Sequence, residues 1–92
     1  YPAVFRDLAL VCDNNIEFSK VIKAINKFSD IIQNVEVVDR YVGEQVEEGK
    51  QSIAISITYY DINKTLKEDE INSVESSLLE MLKNRFSINL RG

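Results

Sequence analysis

The sequence predicts an α+β fold made of four strands and two helices in the order β-α-β-β-α-β. Four segments alternate between apolar and polar residues, which is the period of a strand with one buried face. Two segments between them repeat apolar residues every three or four positions, as an amphipathic helix does. The length of 92 residues suits one domain with a single core, which we expect to occupy residues 1–92.

The first strand is predicted over residues 4–12 and the first helix within residues 16–28. Between them, residues 13–15 read Asp-Asn-Asn, which is typical of a turn and of a helix cap. The strand has two sets of side chains, with Leu8, Leu10 and Cys12 facing inward and Asp7, Ala9 and Val11 facing outward. The helix has an apolar stripe formed by Phe18, Val21, Ile22, Ile25 and Phe28, and its solvated side carries Lys20, Lys23 and Lys27.

The second and third strands are predicted over residues 34–42 and 51–60. The second is rich in β-branched residues, and the third shows the most regular alternation in the chain. In the third strand the inward residues are Ile53, Ile55, Ile57 and Tyr59, and the outward ones are Ser52, Ala54, Ser56, Thr58 and Tyr60. Residues 43–50 have a glycine near each end and three glutamates between, so they predict a solvated loop.

The second helix is predicted to be capped at Thr65, because Thr65 and Glu68 fit a capping box. The acidic residues 68–70 also suit the positive end of a helix. Its buried stripe consists of Ile71, Val74, Leu78, Met81 and Leu82. Residues 86–91 return to alternation and predict the fourth strand, with Ile88 and Leu90 inward and Ser87, Asn89 and Arg91 outward.

This order of elements indicates a ferredoxin-like βαββαβ sandwich, with a four-stranded antiparallel sheet in the strand order 4-1-3-2. The two crossovers are right-handed, so both helices lie on one face and the other face is open. The open face is predicted to carry Asp7, Ala9, Val11, Val37, Asp39, Tyr41, Ser52, Ala54, Ser56, Thr58, Tyr60, Asn89 and Arg91.

Composition disfavours several classes of function. Eleven basic and 15 acidic residues give a net charge of −4, which argues against a free-standing nucleic-acid binder. That charge still permits a module that contacts a few nucleotides inside a larger assembly. The chain has no histidine, no phosphate-binding glycine loop and no nucleophile beside a base, so we expect no catalytic residue, metal or cofactor. The single cysteine, Cys12, is predicted to belong to the core.

Signals for membranes and secretion are also missing from the sequence. No apolar run approaches the roughly 18 residues of a membrane span. No basic segment followed by an apolar one suggests a signal peptide. We therefore expect a cytoplasmic location and no membrane partner.

The predicted open face permits two interpretations. Its small residues leave a shallow surface, on which Tyr41 and Tyr60 offer stacking planes and Arg91 offers a planar cation. Open four-stranded sheets of this composition serve as platforms for unstacked bases. Many sheets, however, expose one small polar face to water and bind nothing with it.

Five short motifs are similar to motifs of a known family. They are aromatic-Pro-x-x-x-Arg-Asp-Leu-Ala at 1–9, Asp-x-Tyr-x-Gly at 39–43, Glu-Gly-Lys-x-Ser at 48–52, Thr-Leu at 65–66 and Leu-Arg-Gly at 90–92. In this order and at these spacings, the chain resembles the ferredoxin-fold anticodon-binding domain at the C-terminus of the bacterial phenylalanyl-tRNA synthetase β subunit. The resemblance covers nearly the whole chain.

The resemblance implies that the open face binds the anticodon of phenylalanine tRNA. It implies a set of RNA-binding residues, namely Ala9, Asp39, Tyr41, Ser52 and Arg91. It also implies that residues 1–92, which lack an initiator methionine, are an excised C-terminal fragment of a longer chain. The parent would be an α2β2 phenylalanine–tRNA ligase that uses ATP and magnesium at a distant site in its α subunit.

Three features depart from the family pattern or leave a role open. Arg40 stands where the family usually has an apolar residue, and we expect it at the sheet edge. Lys67 stands where a threonine or serine cap is common. Arg6 and Asp7 could either fix the start of the strand or contact tRNA, and the structural role is favoured.

Two other classes of function compete with RNA binding. A regulatory or protein-interaction domain of the same fold would favour a glycine-rich loop after the first strand, where this chain has Asp-Asn-Asn at 13–15. A small acyl-phosphatase-like enzyme would need an arginine and an asparagine around a phosphate in that loop, and the arginine is missing there.

Overall fold

The computed structural model describes residues 1–43 and 46–91, and it contains the six predicted elements in their predicted order. They are β1 (Val4–Asp13), α1 (Phe18–Asn26), β2 (Ile32–Tyr41), β3 (Lys50–Tyr59), α2 (Glu68–Phe86) and β4 (Asn89–Leu90). The strands form one antiparallel sheet in the order β2-β3-β1-β4, which is the predicted order read from the opposite edge. The ferredoxin-like prediction is confirmed. Residues 44 and 45 of the predicted loop 43–50 lie outside the described residues, as does residue 92.

The centre of the sheet is the pairing of β1 with β3. The two strands pair without interruption over ten residues, from Val4 opposite Tyr59 to Asp13 opposite Lys50. Directly opposite residues point to the same face, so the alternation of one strand is imposed on the other. This register sends Leu10 and Ile53 to one face, and it sends Ala9 and Ala54 to the other.

Both helices pack on the same face of this sheet and close one core. The inward residues of β3 are all fully buried, as are Leu10 and Cys12 of β1. The helices contribute to the same cluster through Phe18, Val21, Ile25, Ile71, Leu78 and Leu82. Each fully buried aliphatic side chain stabilises the fold by about 1.5–3 kcal/mol, and this apolar stripe is what holds each helix to the sheet. Burial also raises the pKa of the Cys12 thiol, as expected of a core cysteine.

Strand β2 contains a bulge that changes which side chains face inward. Val37 lies opposite Ile55, but Asp39 lies opposite Ala54, so Val38 is an extra residue between two pairs. Val37 is therefore on the helix side of the sheet, and its predicted place on the open face is wrong. The prediction assumed unbroken alternation, which a bulge interrupts. Val37 nevertheless keeps 44% of its surface exposed, because β2 is an edge strand.

The helix starts differ from those predicted by cap chemistry. Helix α1 is preceded by Glu17 rather than by the Asp-Asn-Asn segment, whose first two residues are bonded to the start of β3 and to the residue before it. There, the Asn14 N–H donates to the Gly49 carbonyl and the Asp13 carboxylate pairs with Lys50 at 2.8 Å. Helix α2 is preceded by Lys67 rather than Thr65.

The start of α2 is held by Glu70. Its carboxylate accepts the Lys67 N–H at 3.5 Å and the Lys64 ammonium at 2.6 Å. The hydrogen bond from Lys64 is the main reason that the pKa of Glu70 is lowered. The predicted capping box of Thr65 with Glu68 is therefore wrong, because the helix begins two residues later: its N-cap is Lys67, and the carboxylate that accepts the N-cap N–H is that of Glu70.

The predicted fourth strand over residues 86–91 is reduced to two residues, Asn89–Leu90. Helix α2 continues to Phe86 and ends at Ser87, which adopts the left-handed conformation at φ 57°. The N–H groups of Ser87 and Ile88 donate to carbonyls of the last helical turn. Ile88 is buried as predicted, whereas Leu90 is 47% exposed although it pairs with the inward-facing Leu10. It lies on the edge strand beside α2, where little covers it.

Two polar contacts join the sheet to α2. Tyr59 is fully buried, and its O–H donates to Glu75 Oε1 at 3.2 Å. Arg6 forms an ion pair with Glu68 at 3.7 Å, so Arg6 has a structural contact at the start of β1. Burial raises the pKa of Tyr59 above its ordinary value of 10.0, and the nearby Glu75 carboxylate raises it further.

We predict that the free energy of unfolding falls as pH rises above 10.0, because the tyrosine of the unfolded chain loses its proton there and folded Tyr59 keeps it. The Tyr59→Phe variant lacks this proton, so its stability should fall less steeply, while at pH 7 it should be about 1 kcal/mol less stable. Urea unfolding from pH 7 to pH 11 measures both effects. The exposed Tyr1→Phe variant is the control, and equal alkaline slopes for Tyr59→Phe and the parent chain would contradict the prediction.

Candidate nucleic-acid interface

The face of the sheet that carries no helix has a shallow depression of about 80 Å³ at one end. Its lining consists of Ala9, Asp39, Tyr41, Ser52, Ala54 and Arg91. These six residues are called the platform below. The platform contains all five residues selected from the sequence, together with Ala54. The four strands of the sheet all contribute to it or lie directly beside it.

The strand register explains why residues so far apart in the chain meet here. Tyr41 lies opposite Ser52 across β2 and β3, and Ser52 lies opposite Val11 on β1. In the next row, Asp39 lies opposite Ala54, which lies opposite Ala9. Arg91 joins from the other edge, where its N–H donates to the Ala9 carbonyl at 2.8 Å. The platform is therefore two adjacent cross-strand rows closed by an arginine.

The bulge in β2 gives Asp39 and Tyr41 their direction. The preceding residues Val35 and Val37 lie opposite Ile57 and Ile55, on the helix side. Without the extra residue Val38, the same alternation would carry Asp39 and Tyr41 to the helix side as well. The Asp39 carboxylate also accepts the Arg40 N–H at 2.8 Å, which orients it. Arg40 itself is an exposed residue of this edge strand, as expected.

Arg91 and Tyr41 form a cation–π contact across the platform. The guanidinium carbon of Arg91 lies 5.4 Å from the centre of the Tyr41 ring, although the two residues belong to opposite edges of the sheet. Gly43 allows the ring to lie close to the backbone, since a Cβ at that position would be 3.1 Å from the Tyr41 hydroxyl. The pair bridges the sheet and leaves 41% of Tyr41 exposed.

Ser52 differs from the other platform residues in its burial. It is on the open face, as its pairing requires, but only 4% of its surface is exposed. The sequence treats Ser52 as one of several small exposed residues, and only the three-dimensional structure shows it as the floor of the depression. A ligand would need to enter the depression to reach its hydroxyl.

Acidic side chains border the platform on the same face. Asp7 and Glu36 both lie opposite Ser56, one row beyond Ala54 along β3. Beyond them, Phe5 lies opposite Thr58 and is 68% exposed. Sequence reasoning missed Phe5, which simple alternation from Asp7 would have placed on this face. It also missed Glu36, whose direction depends on the bulge in β2.

The arrangement offers stacking, hydrogen bonding and charge pairing, and no reaction chemistry is apparent in it. Among residues 1–43 and 46–91, no three His, Cys, Asp or Glu side chains come close enough to hold a metal ion. Within the same residues, neither helix is long and apolar enough to cross a membrane. An aromatic ring, a guanidinium, a carboxylate and a hydroxyl around a flat floor suit a planar ligand that carries phosphate.

Comparison with known protein families gives one match over nearly the whole chain. The model of the ferredoxin-fold anticodon binding domain matches residues 1–91. Among the proteins to which the chain is similar are three longer ones, each a phenylalanine–tRNA ligase beta subunit.

The three relatives are alike in their coverage. The subunit from Mannheimia succiniciproducens is 45% identical over 92 residues, which is 99% of this chain and 12% of that protein. The subunit from Bacillus subtilis is 37% identical over 93 residues, which is 100% of this chain and 12% of that protein. The subunit from Fusobacterium nucleatum is 34% identical over 91 residues, which is 99% of this chain and 11% of that protein. The chain thus spans 11–12% of the length of these relatives.

The contact between Tyr41 and Arg91 should appear as a coupling energy. In a double-mutant cycle with Tyr41→Leu and Arg91→Met, we expect the two changes in unfolding free energy to be coupled by about 0.5–1 kcal/mol. Urea unfolding of the four proteins measures it. The control cycle combines Tyr41→Leu with Arg85→Met. Arg85 lies over Phe86 on the helix layer, so the two changes in unfolding free energy should be additive. Additivity of the Tyr41 and Arg91 changes would contradict the contact.

Proposed function

The chain belongs to the ferredoxin-fold anticodon-binding domain family, and on that premise we propose that its platform binds the anticodon of phenylalanine tRNA. The observation that supports the proposal is that the five residues implied by the resemblance, which are distant in the chain, line one depression on the helix-free face. A one-residue slip in the register of any contributing strand would have dispersed them.

Each platform residue has a physical role in this proposal. Ala9 and Ala54 keep the floor flat, so that a base can lie against the sheet. Tyr41 stacks on an unstacked anticodon base. The Ser52 hydroxyl and the Asp39 carboxylate hydrogen-bond to base edges, the carboxylate accepting from amino or imino N–H groups. Together these contacts read both the plane and the edge of a base.

Arg91 must move for the base to enter. Its guanidinium lies over the Tyr41 ring at a distance that leaves no room for a base between them. When the base arrives, Arg91 leaves that position and either stacks on the other side of the base or pairs with a phosphate. The cation–π contact with Tyr41 is weak compared with stacking on a base or with a charge-assisted hydrogen bond to phosphate.

The parent protein is the second part of the proposal. We assign residues 1–92 to the C-terminal domain of a longer phenylalanine–tRNA ligase β subunit, which acts with an α subunit as an α2β2 enzyme in the cytoplasm. Attachment of phenylalanine to tRNA, with its ATP and magnesium, takes place elsewhere in that enzyme. The domain then supplies recognition, and its net charge of −4 leaves most of the phosphate affinity to other parts of the assembly.

Titration of the ¹⁵N-labelled domain with the anticodon stem-loop of phenylalanine tRNA tests the proposal at low salt. Shifts should concentrate at the platform and weaken as salt is added. A stem-loop with a changed anticodon is the control for base recognition. Shifts confined to the helices, or no shifts at any RNA concentration, would reject the proposal.

Replacing Tyr41 by alanine should weaken stem-loop binding by about 1–3 kcal/mol, because one base loses its stacking partner. Fluorescence anisotropy with a labelled stem-loop measures the affinity. The matched control is Phe5→Ala, which removes an exposed ring from the same face beyond the acidic border. Unchanged affinity in Tyr41→Ala would remove that ring from the site, and an equal loss in Phe5→Ala would place the RNA elsewhere on the face.

Glu36→Gln should strengthen stem-loop binding about twofold at low salt, since it removes one repulsive charge about 7 Å along the sheet from the nearest row of the platform. The effect should vanish in 0.5 M salt, where charges at that distance are screened. Glu80→Gln changes the net charge equally on the helix layer and serves as the control. An equal gain in both variants would mean that only net charge matters and not the acidic border.

A further inference from the structure

The helix layer carries a second depression, on the opposite side of the molecule from the platform. It is a groove of about 450 Å³ between α1 and the C-terminal half of α2. Three half-buried apolar side chains form much of its floor, namely Phe28, Met81 and Phe86. They pack against the core from below and are half-exposed in the groove, where the Arg85 guanidinium carbon lies 5.1 Å from the centre of the Phe86 ring. A groove of this kind can bury apolar side chains of a partner.

The ionisable residues that line this groove are all basic. Lys20, Lys23 and Lys27 follow one rim along α1, and Arg85 faces them from α2. This concentration of charge contrasts with the net −4 of the whole chain. Lys20 is paired with Glu17 at 3.4 Å, but both side chains are largely exposed, so the pair is weak and can be exchanged. The groove therefore favours an anionic ligand.

The spacing of the basic residues selects the kind of anion. Lys20, Lys23 and Lys27 stand at positions i, i+3 and i+7, so they form a straight row about 10 Å long. A helix with carboxylates at the same spacing matches this row, and its apolar stripe matches the floor. A nucleic acid would pair its phosphates with the lysines but would leave the floor around Met81 without a partner.

The position of the groove also disfavours RNA. The platform and the groove lie on opposite layers, so an anticodon loop seated on the sheet cannot reach α1 without wrapping around the domain. The inference does not rest on the proposed RNA site, because the two surfaces share no residue. A partner in the groove and an RNA on the platform can bind at the same time.

From the basic row and the apolar floor, we propose that this groove is a docking site for an acidic amphipathic helix of a partner polypeptide. The glutamates or aspartates of that helix pair with Lys20, Lys23 and Lys27, and Arg85 closes the opposite rim. Its apolar side chains contact Phe28, Met81 and Phe86.

The test uses a labelled synthetic amphipathic helix with glutamates at i, i+3 and i+7 beside a leucine stripe. Fluorescence anisotropy measures its affinity for the domain at low salt and at 0.5 M salt. Lys23→Glu should weaken binding about tenfold, because it replaces attraction by repulsion at the centre of the row. Lys83→Glu, an equal charge change on the other side of α2, should change it little. A peptide of the same composition in scrambled order should bind poorly.

Three results would overturn the proposal. The first is that the helix peptide binds no better than the scrambled one, and the second is that Lys23→Glu leaves the affinity for the helix peptide unchanged. The third is a loss of anticodon stem-loop binding in Lys23→Glu that matches the peptide's loss, which would make the groove a nucleic-acid surface. Chemical-shift mapping of the bound peptide to α1 and to the end of α2 would support the proposal even where the affinity is low.

Discussion

The uninterrupted pairing of β1 with β3 is the constraint on which the rest of the structure depends. Over ten residues each side chain of one strand has a fixed partner on the other. The register therefore fixes which side chains of both strands lie on each face of the sheet. The face with Ile53, Ile55 and Ile57 is fully buried and requires helices above it. The face with Ala54 and Ser52 is left small, and only for that reason can a flat ligand approach the sheet.

The two edge strands turn this central frame into a site. Strand β2 is irregular, and its extra residue Val38 directs Asp39 and Tyr41 away from the helices. Strand β4 is only two residues long, and Arg91 directly after it is held beside Ala9 because its N–H donates to the Ala9 carbonyl. The regular strands supply the floor, and the irregular ones supply the groups that recognise a ligand. This division agrees with the general tendency of bulges and element ends to carry function.

Charge is distributed unevenly over the surface of the domain, and the net charge does not show this distribution. On the open face Asp7 and Glu36 form an acidic border next to a platform that contains Arg91. On the helix layer the groove is lined by three lysines and Arg85. An acidic total of −4 therefore coexists with one basic surface, the groove, and with a platform in which Asp39 balances the charge of Arg91. Local surfaces govern what binds and where, while the total governs long-range attraction of the isolated domain.

The sequence by itself determined the order of the elements, the strand order, the inward set of β3 and the faces of Ala9, Ser52 and Arg91. It could do so because side chains alternate with a period of two in an unbroken strand, and that period is visible in the letters. Alternation also placed Asp39 and Tyr41 on the open face, together with Val37, and motif resemblance singled out all five residues for RNA binding. Tertiary structure alone decided the bulge at Val38, the inward turn of Val37, the burial of Ser52 and the length of β4. Each of these depends on contacts between residues distant in the chain, such as β2 against β3 or α2 against the sheet edge, and local pattern carries no record of such contacts.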